Sequence, residues 1–192
     1  LVIRSASDTE SALAVATGAV ARITLAGSNG LYGGGLAAGM QVPAGAAVFI
    51  GGNGSLEVTG GFAGIGGGNA EACGEVVIDS GTVTAESTLT GAGIGGGCDG
   101  KGGTVKIRGG RVTARGCHSS AGIGGGGVYA AGGHVEISGG EVAAVGDSGA
   151  AGIGARPVRA SHSLRAPEIR RKTAFDCRQC GFEGGRDPFG HP

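Results

Sequence analysis

The chain has 192 residues, enough for one domain or a small pair, and 40% of them are apolar, so some core can be buried. Its 15 basic and 15 acidic residues cancel, which removes any general electrostatic reason to expect nucleic acid or an anionic membrane as partner. With 47 glycines and no tryptophan a thick mixed core is excluded, and without a period such composition would mean disorder.

Residues 1–22 show only vague alternation around Leu13-Ala14-Val15 and are expected to form a lead-in strand or N-terminal cap. The chain opens at Leu1 with neither Met nor a basic-then-apolar leader, so a piece of a longer chain is expected. No run reaches the roughly 18 consecutive apolar residues of a spanning helix, and no membrane span is expected.

From Ile23 a pattern settles. Ile23-Thr24-Leu25, Ala38-Gly39-Met40, Val48-Phe49-Ile50, Leu56-Glu57-Val58 and Ala63-Gly64-Ile65 are short apolar-x-apolar segments closed by Gly or Asn. Each reads as a brief strand with a turn at either end. Ile23 to Val48, Leu25 to Ile50 and Met40 to Ile65 share a sequence separation of 25, which predicts a short first coil.

The word Ala-Gly-Ile-Gly-Gly-Gly at 63–68 recurs at 92–97 and 121–126, and shortened at 151–154. Its isoleucines, Ile65, Ile94, Ile123 and Ile153, follow one another at sequence separations of 29, 29 and 30. Self-similarity at this period marks a solenoid. Between these words lie Val76-Val77-Ile78 with Val83-Thr84-Ala85, Val105-Lys106-Ile107 with Val112-Thr113-Ala114, and Val135-Glu136-Ile137 with Val142-Ala143-Ala144. Three strand-like pieces per period imply three faces per coil, with apolar members inward and middle residues toward solvent. Stacking then predicts three ladders: Ile78, Ile107 and Ile137; Val83, Val112 and Val142; and the four isoleucines of the glycine words. The small difference between the periods is placed in the loop from Gly124 to Gly133, where a solenoid tolerates insertion.

The charges, which play no part in setting this register, agree with it. One period separates Asp79 from Arg108, Glu86 from Arg115, Lys106 from Glu136 and Arg111 from Glu141, always with opposite sign. Neighbouring strands lie about 4.8 Å apart, so such residues are lateral neighbours. These positions read as a solvated ion-pairing face rather than a ligand stripe.

The glycine words satisfy the letters of a dinucleotide fingerprint at Gly91 to Gly96 and Gly122 to Gly127, but no helix follows and the words recur every turn. Tight corners are the expected role. A calcium-binding nonapeptide repeat is disfavoured because Asp99 has no acidic counterpart one period away.

The order G-x-V-x-I-x-G-G-x-V-x-A followed by A-G-I-G-G-G, with Val42-Pro43-Ala44-Gly45-Ala46 leading into Val48-Phe49-Ile50, resembles the glycine-rich β-helix regions of bacterial secreted and cell-surface proteins described as carbohydrate-binding-domain-containing. The resemblance covers roughly residues 20 to 154. It implies an all-β, right-handed parallel β-helix with coils of about 25–30 residues, within the range of known solenoid repeats. It also implies a secreted or cell-surface location, and adhesion or glycan binding as role. Related surface β-helices that bind calcium carry Asp-Gly-Ile where this chain has Ala92-Gly93-Ile94 and Ala121-Gly122-Ile123, so calcium is not expected.

Catalysis has little support. Asp79, Arg108 and Glu136 imitate the grouped charges of polymer-cleaving β-helices, yet they follow the charge pairing across coils, and a non-enzymatic chain is expected. No catalytic, cofactor or metal residue is assigned, and the ligand-binding residues are left unknown. His118 and His134 fall at different points of the repeat and read as surface histidines. Cys73, Cys98 and Cys117 form no ladder, and an odd total of five cysteines speaks against a disulfide framework.

The repeats are expected to occupy residues 23–154. Residues 155–192 hold four of the five prolines and 8 basic against 4 acidic residues, a net of +4, where residues 1–154 hold 7 against 11, a net of −4. They carry no repeat word and are expected to be an irregular basic tail, a linker or an out-of-frame segment. Cys177-Arg178-Gln179-Cys180 there is half a zinc site at best. Two roles compete: a rigid module displaying a glycan-binding face, and a stalk that holds another domain away from a surface. Sugar binding would favour aromatic residues in register on an outer face, whereas Tyr32, Phe49, Phe62 and Tyr129 share no repeat position.

Overall fold

In a computed structural model, which describes residues 1–155, the chain winds into a stack of coils with three strands each. The first coil holds β1 (Val2–Arg4), β2 (Leu13–Ala14) and β3 (Val20–Leu25), and the second β4 (Ser28–Tyr32), β5 (Met40–Gln41) and β6 (Ala47–Gly52). The third holds β7 (Ser55–Gly60), β8 (Ile65–Gly66) and β9 (Glu75–Ile78), and the fourth β10 (Thr82–Ser87), β11 (Ile94–Gly95) and β12 (Thr104–Ile107). The fifth holds β13 (Arg111–Arg115), β14 (Ile123–Gly124) and β15 (His134–Ile137), before β16 (Glu141–Val145) and β17 (Ile153–Gly154) begin a sixth.

Every third strand joins the same sheet. The first sheet runs β1-β4-β7-β10-β13-β16, the second β2-β5-β8-β11-β14-β17 and the third β3-β6-β9-β12-β15. All strand pairings within them are parallel, so the fold is an all-β parallel β-helix.

The expected ladders are present. Ile107 sits between Ile78 and Ile137, Val112 between Val83 and Val142, and Ile94 and Ile123 continue Ile65 toward Ile153. Ile65, Ile78, Ile94, Ile107 and Ile123 have no solvent exposure. Each such burial stabilises by about 1.5–3 kcal/mol, so these columns, continuous with Met40, Ile50 and Val58, carry most of the folding energy. The added residue of the longer period lies between β14 and β15, as expected.

Three expectations need correction. The spacing of 25 holds for Met40 with Ile65, but Ile23 pairs with Ile50 and Leu25 with Gly52, a spacing of 27. A slip of two positions leaves the same side chains facing inward, so alternation alone does not distinguish the two registers. Val77, expected on the solvent side, is fully buried, because its lateral neighbours Phe49 and Lys106 are long enough to cover a short side chain between them. Residues 1–22, expected as a lead-in, are wound like the rest: β1 and β2 pair in register with β4 and β5, and β3 runs through residue 22 without a break. Of the expected tail, residues 156–192, Cys177 and Cys180 included, lie outside the described residues.

The glycine words have a steric reason. Gly66, Gly95 and Gly124 adopt φ of 144°, 141° and 141°, and a Cβ on each would collide with the backbone carbonyl of Gly95, Gly124 and Gly154 respectively. The coils touch there backbone to backbone, and only glycine fits. Gly124→Ala is therefore expected to lower stability by more than about 1 kcal/mol in urea unfolding, whereas Gly35→Ala, with open space and an ordinary φ, stays within about 0.5 kcal/mol.

Candidate functional site

Two surfaces are candidates, and the charged one comes first. Arg108 Nη1 lies 3.2 Å from Asp79 Oδ1, and Arg111 holds Glu141 by two contacts, Nη2 to Oε2 at 2.7 Å and Nη1 to Oε1 at 3.0 Å. Two of the four expected pairs thus form. Lys106 turns the other way, its Nζ 2.7 Å from Glu75 Oε1 on the preceding coil, so Glu136 is its register neighbour without being its ionic partner. Glu86 and Arg115 are also register neighbours, yet no ion pair joins them among the described residues. Pairing by Cα register brings two residues within reach, and for long side chains the diagonal neighbour competes on equal terms. The Asp79, Arg108 and Glu136 group is split in this way: the first two neutralise each other, and Glu136 stands one coil beyond on β15. In the first coils the outer positions carry cations over rings, Arg4 above Tyr32 at 4.1 Å and Arg22 above Phe49 at 4.4 Å.

The second candidate lies over the second sheet, whose strands are only two residues long. Every coil enters and leaves such a strand through a loop, and these loops stack as the strands do. In the wall before the strands, Phe62 N donates to Ala37 O (3.0 Å) and Leu89 N to Gly61 O (2.9 Å), while Cys117 N donates to Gly91 O (3.1 Å). In the wall after them, Ala70 N donates to Cys98 O (2.9 Å) and Gly126 N to Gly100 O (3.0 Å). Ala70 and Asp99, one period apart, share a left-handed backbone with φ of 55° and 54°.

Two depressions open among these loops. One, of about 240 Å³, is lined chiefly by Thr9, Ser11, Leu36, Gln41, Asn69 and Glu71. The Glu71 carboxylate there is held in place, accepting from Gln41 Nε2 at 2.7 Å and from Gly68 N at 3.2 Å. The other, of about 500 Å³, is lined by Leu89, Thr90, Cys98, Asp99, His118 and the 127–129 turn with Tyr129. His118, expected as a surface residue, is exposed at this rim, with its backbone N–H donating to Asp147 Oδ2 at 2.8 Å. His134 is exposed on β15, away from both.

The cysteines occupy unlike places, as their unlike repeat positions imply. Cys98 is half-buried in the larger depression, and Cys117 is buried in a corner. Cys73 borders a third hollow of about 350 Å³ at the start of the third sheet, where burial pushes its thiol up from 9.0 to about 12. A thiol so far from ionising is a packing residue and no nucleophile. Among the described residues no group of three His, Cys, Asp or Glu side chains is placed to hold a metal, and no helix is long and apolar enough to cross a membrane.

With the geometry described, residues 76–98, 101–127 and 135–155 match a family model described as "Beta helix repeat". Over these segments the chain is similar to that family. No curated protein and no solved structure matches the chain significantly. The matched segments include the glycine words at 92–97, 121–126 and 151–154, and Leu89, Thr90, Cys98, His118 and Gly127 of the larger depression.

The period specifies the sheets and not the two depressions, because their lining residues differ from coil to coil. One signal was available: Leu36, Leu89 and Tyr129 are large side chains inside loops made mostly of Gly, Ala and Thr. The ion pairs of the charged face join adjacent coils. Arg108→Ala is expected to lower stability by no more than about 0.5 kcal/mol, since both side chains of the pair are roughly half exposed, and the loss should shrink when unfolding is repeated in high salt.

Proposed function

We propose that this chain is a non-enzymatic β-solenoid module of an extracellular or cell-surface protein, and that it binds carbohydrate at the loop-walled face over the second sheet. One observation carries the proposal. Outside the first coil and the final strands, the exposed large apolar side chains among the described residues are Leu36, Leu89 and Tyr129, and all three line the two depressions. Tyr129 is 85% exposed. Solvated aromatic and aliphatic surface gathered at concave places, beside amides, hydroxyls and carboxylates, is the make-up of a ligand site.

A sugar ring suits that make-up chemically. Its C–H face is apolar enough to lie on an aromatic ring or a leucine, and its hydroxyl rim both donates and accepts hydrogen bonds. Thr90, Asp99 and His118 offer such partners beside Tyr129, and Gln41, Asn69 and Glu71 offer them beside Leu36. The non-enzymatic reading draws on the outer carboxylates, since Asp79, Glu75 and Glu141 are each spent on a cation of an adjacent coil. A spacer is the second reading, favoured by the uninterrupted ladders of all three sheets.

Retention on immobilised neutral and acidic polysaccharides, read with and without Tyr129→Ala, separates the two. The binding proposal expects at least a tenfold weaker retention by the variant, with an unchanged unfolding midpoint because so exposed a ring adds little to the core. Equal behaviour of both proteins, or no retention of either, favours the spacer.

A further inference from the structure

The two depressions share both walls. Asn69 of the smaller one and Cys98 of the larger one are the same repeat position in adjacent coils, Gly68 and Gly97 likewise, and Ala70 N bonds Cys98 O between them. On the opposite wall Ala37 of the smaller depression leads through Phe62 and Gly61 to Leu89 of the larger one, again by backbone hydrogen bonds. Between the walls run the short strands of the second sheet, of which Gln41 on β5 lines the smaller depression. Resting on the glycan-binding reading above, we infer that the depressions are two ends of one groove parallel to the coil axis, and that its ligand is an uncharged linear glycan laid lengthwise along it.

The length follows from the stacking. Thr9 and Ser11 belong to the first coil and His118 and Tyr129 to the fifth, so the groove spans four coil-to-coil steps, about 19 Å at the spacing of parallel strands. A disaccharide covers part of that distance, and a hexasaccharide covers all of it. A ligand that lies along the axis meets a new rung at every step, while one lying across it meets a single rung and gains nothing from chain length.

The charge follows from the lining. Glu71 and Asp99 are the carboxylate residues of the two depressions, His118 brings an imidazole, and neither Lys nor Arg lines either of them. Carboxylates in a concave site repel a polyuronate and lack the guanidinium forks that bind carboxylates well. They accept hydrogen bonds from sugar hydroxyls without penalty, and Glu71 is already oriented by Gln41 and the Gly68 N–H. Leu36 at one end and Leu89 with Tyr129 at the other supply apolar contacts two or more coils apart, which a polymer of regular rings can meet together.

The test is calorimetric titration of the full chain with oligomers of two and six units of β-1,4-linked glucose, xylose, mannose and N-acetylglucosamine, alongside hexagalacturonate. The groove expects at least one neutral hexamer to bind at least tenfold tighter than its dimer, and hexagalacturonate to bind at least tenfold more weakly than that hexamer. Leu36→Ala is expected to weaken the hexamer several-fold and leave the dimer unchanged if the dimer sits near Tyr129, with Tyr129→Ala weakening both. Equal affinity for dimer and hexamer, or hexagalacturonate binding as tightly as any neutral hexamer, overturns the groove while leaving a carbohydrate site in place. Binding of none of the sugars overturns the carbohydrate reading together with the groove.

Discussion

Backbone contact between successive coils at Gly66, Gly95, Gly124 and Gly154 is the constraint on which the rest of the structure depends. Parallel strands stack at a spacing set by their hydrogen bonds, and at these rungs the carbonyl of the next coil occupies the place of a side chain. A solenoid with a thin core of Ile, Val, Leu and Ala needs each coil to turn sharply, and a very short strand between glycines lets it do so. The same compression shapes the outside. Short strands leave long loops on either side, and those loops, stacked coil on coil, become the walls of the proposed groove.

The energetic balance between ladders and ion pairs fixes which substitutions the fold tolerates. Columns of fully buried isoleucine and valine contribute more per residue than exposed ion pairs do by several-fold. Burial thins out only where the stack ends. In the last described coil Val135, Ile137, Val142 and Ile153 face inward but are half-exposed, because among the described residues no further strand packs on β15 and β17. Outer positions answer to looser rules, which is how Lys106 can select Glu75 over Glu136 without disturbing either strand.

Much of the fold was legible in the residues, and the reasons for the rest are physical. Ile65, Ile94, Ile123 and Ile153 recur because each fills the same place in a repeated cross-section, so their spacing reports the coil directly. Ile23 misled, because period-two alternation is blind to a slip of two, and no glycine word marks the early coils to correct it. Val77 misled for another reason: facing outward is a property of one strand, while being covered depends on Phe49 and Lys106, each a whole coil away in sequence. Tyr129 was invisible to register because it lies in a loop, where stacking fixes the backbone path and leaves the side chain to selection of another kind. Binding surfaces on solenoids carry little periodicity for that reason.

If coil stacking on the glycine column is what defines the structure, a whole coil is removable and part of one is not. The direct measurement is equilibrium unfolding of a variant lacking 94–122, a deletion of one complete period that joins Gly93 to Ile123 and sets β14 on β8, β15 on β9 and β16 on β10. The stacked-coil account predicts a cooperative transition and an undiminished β-sheet signal per residue, with stability reduced by about one coil's share. Loss of cooperative unfolding in that variant, or equal tolerance of a deletion of 94–108 that breaks the register, would contradict it.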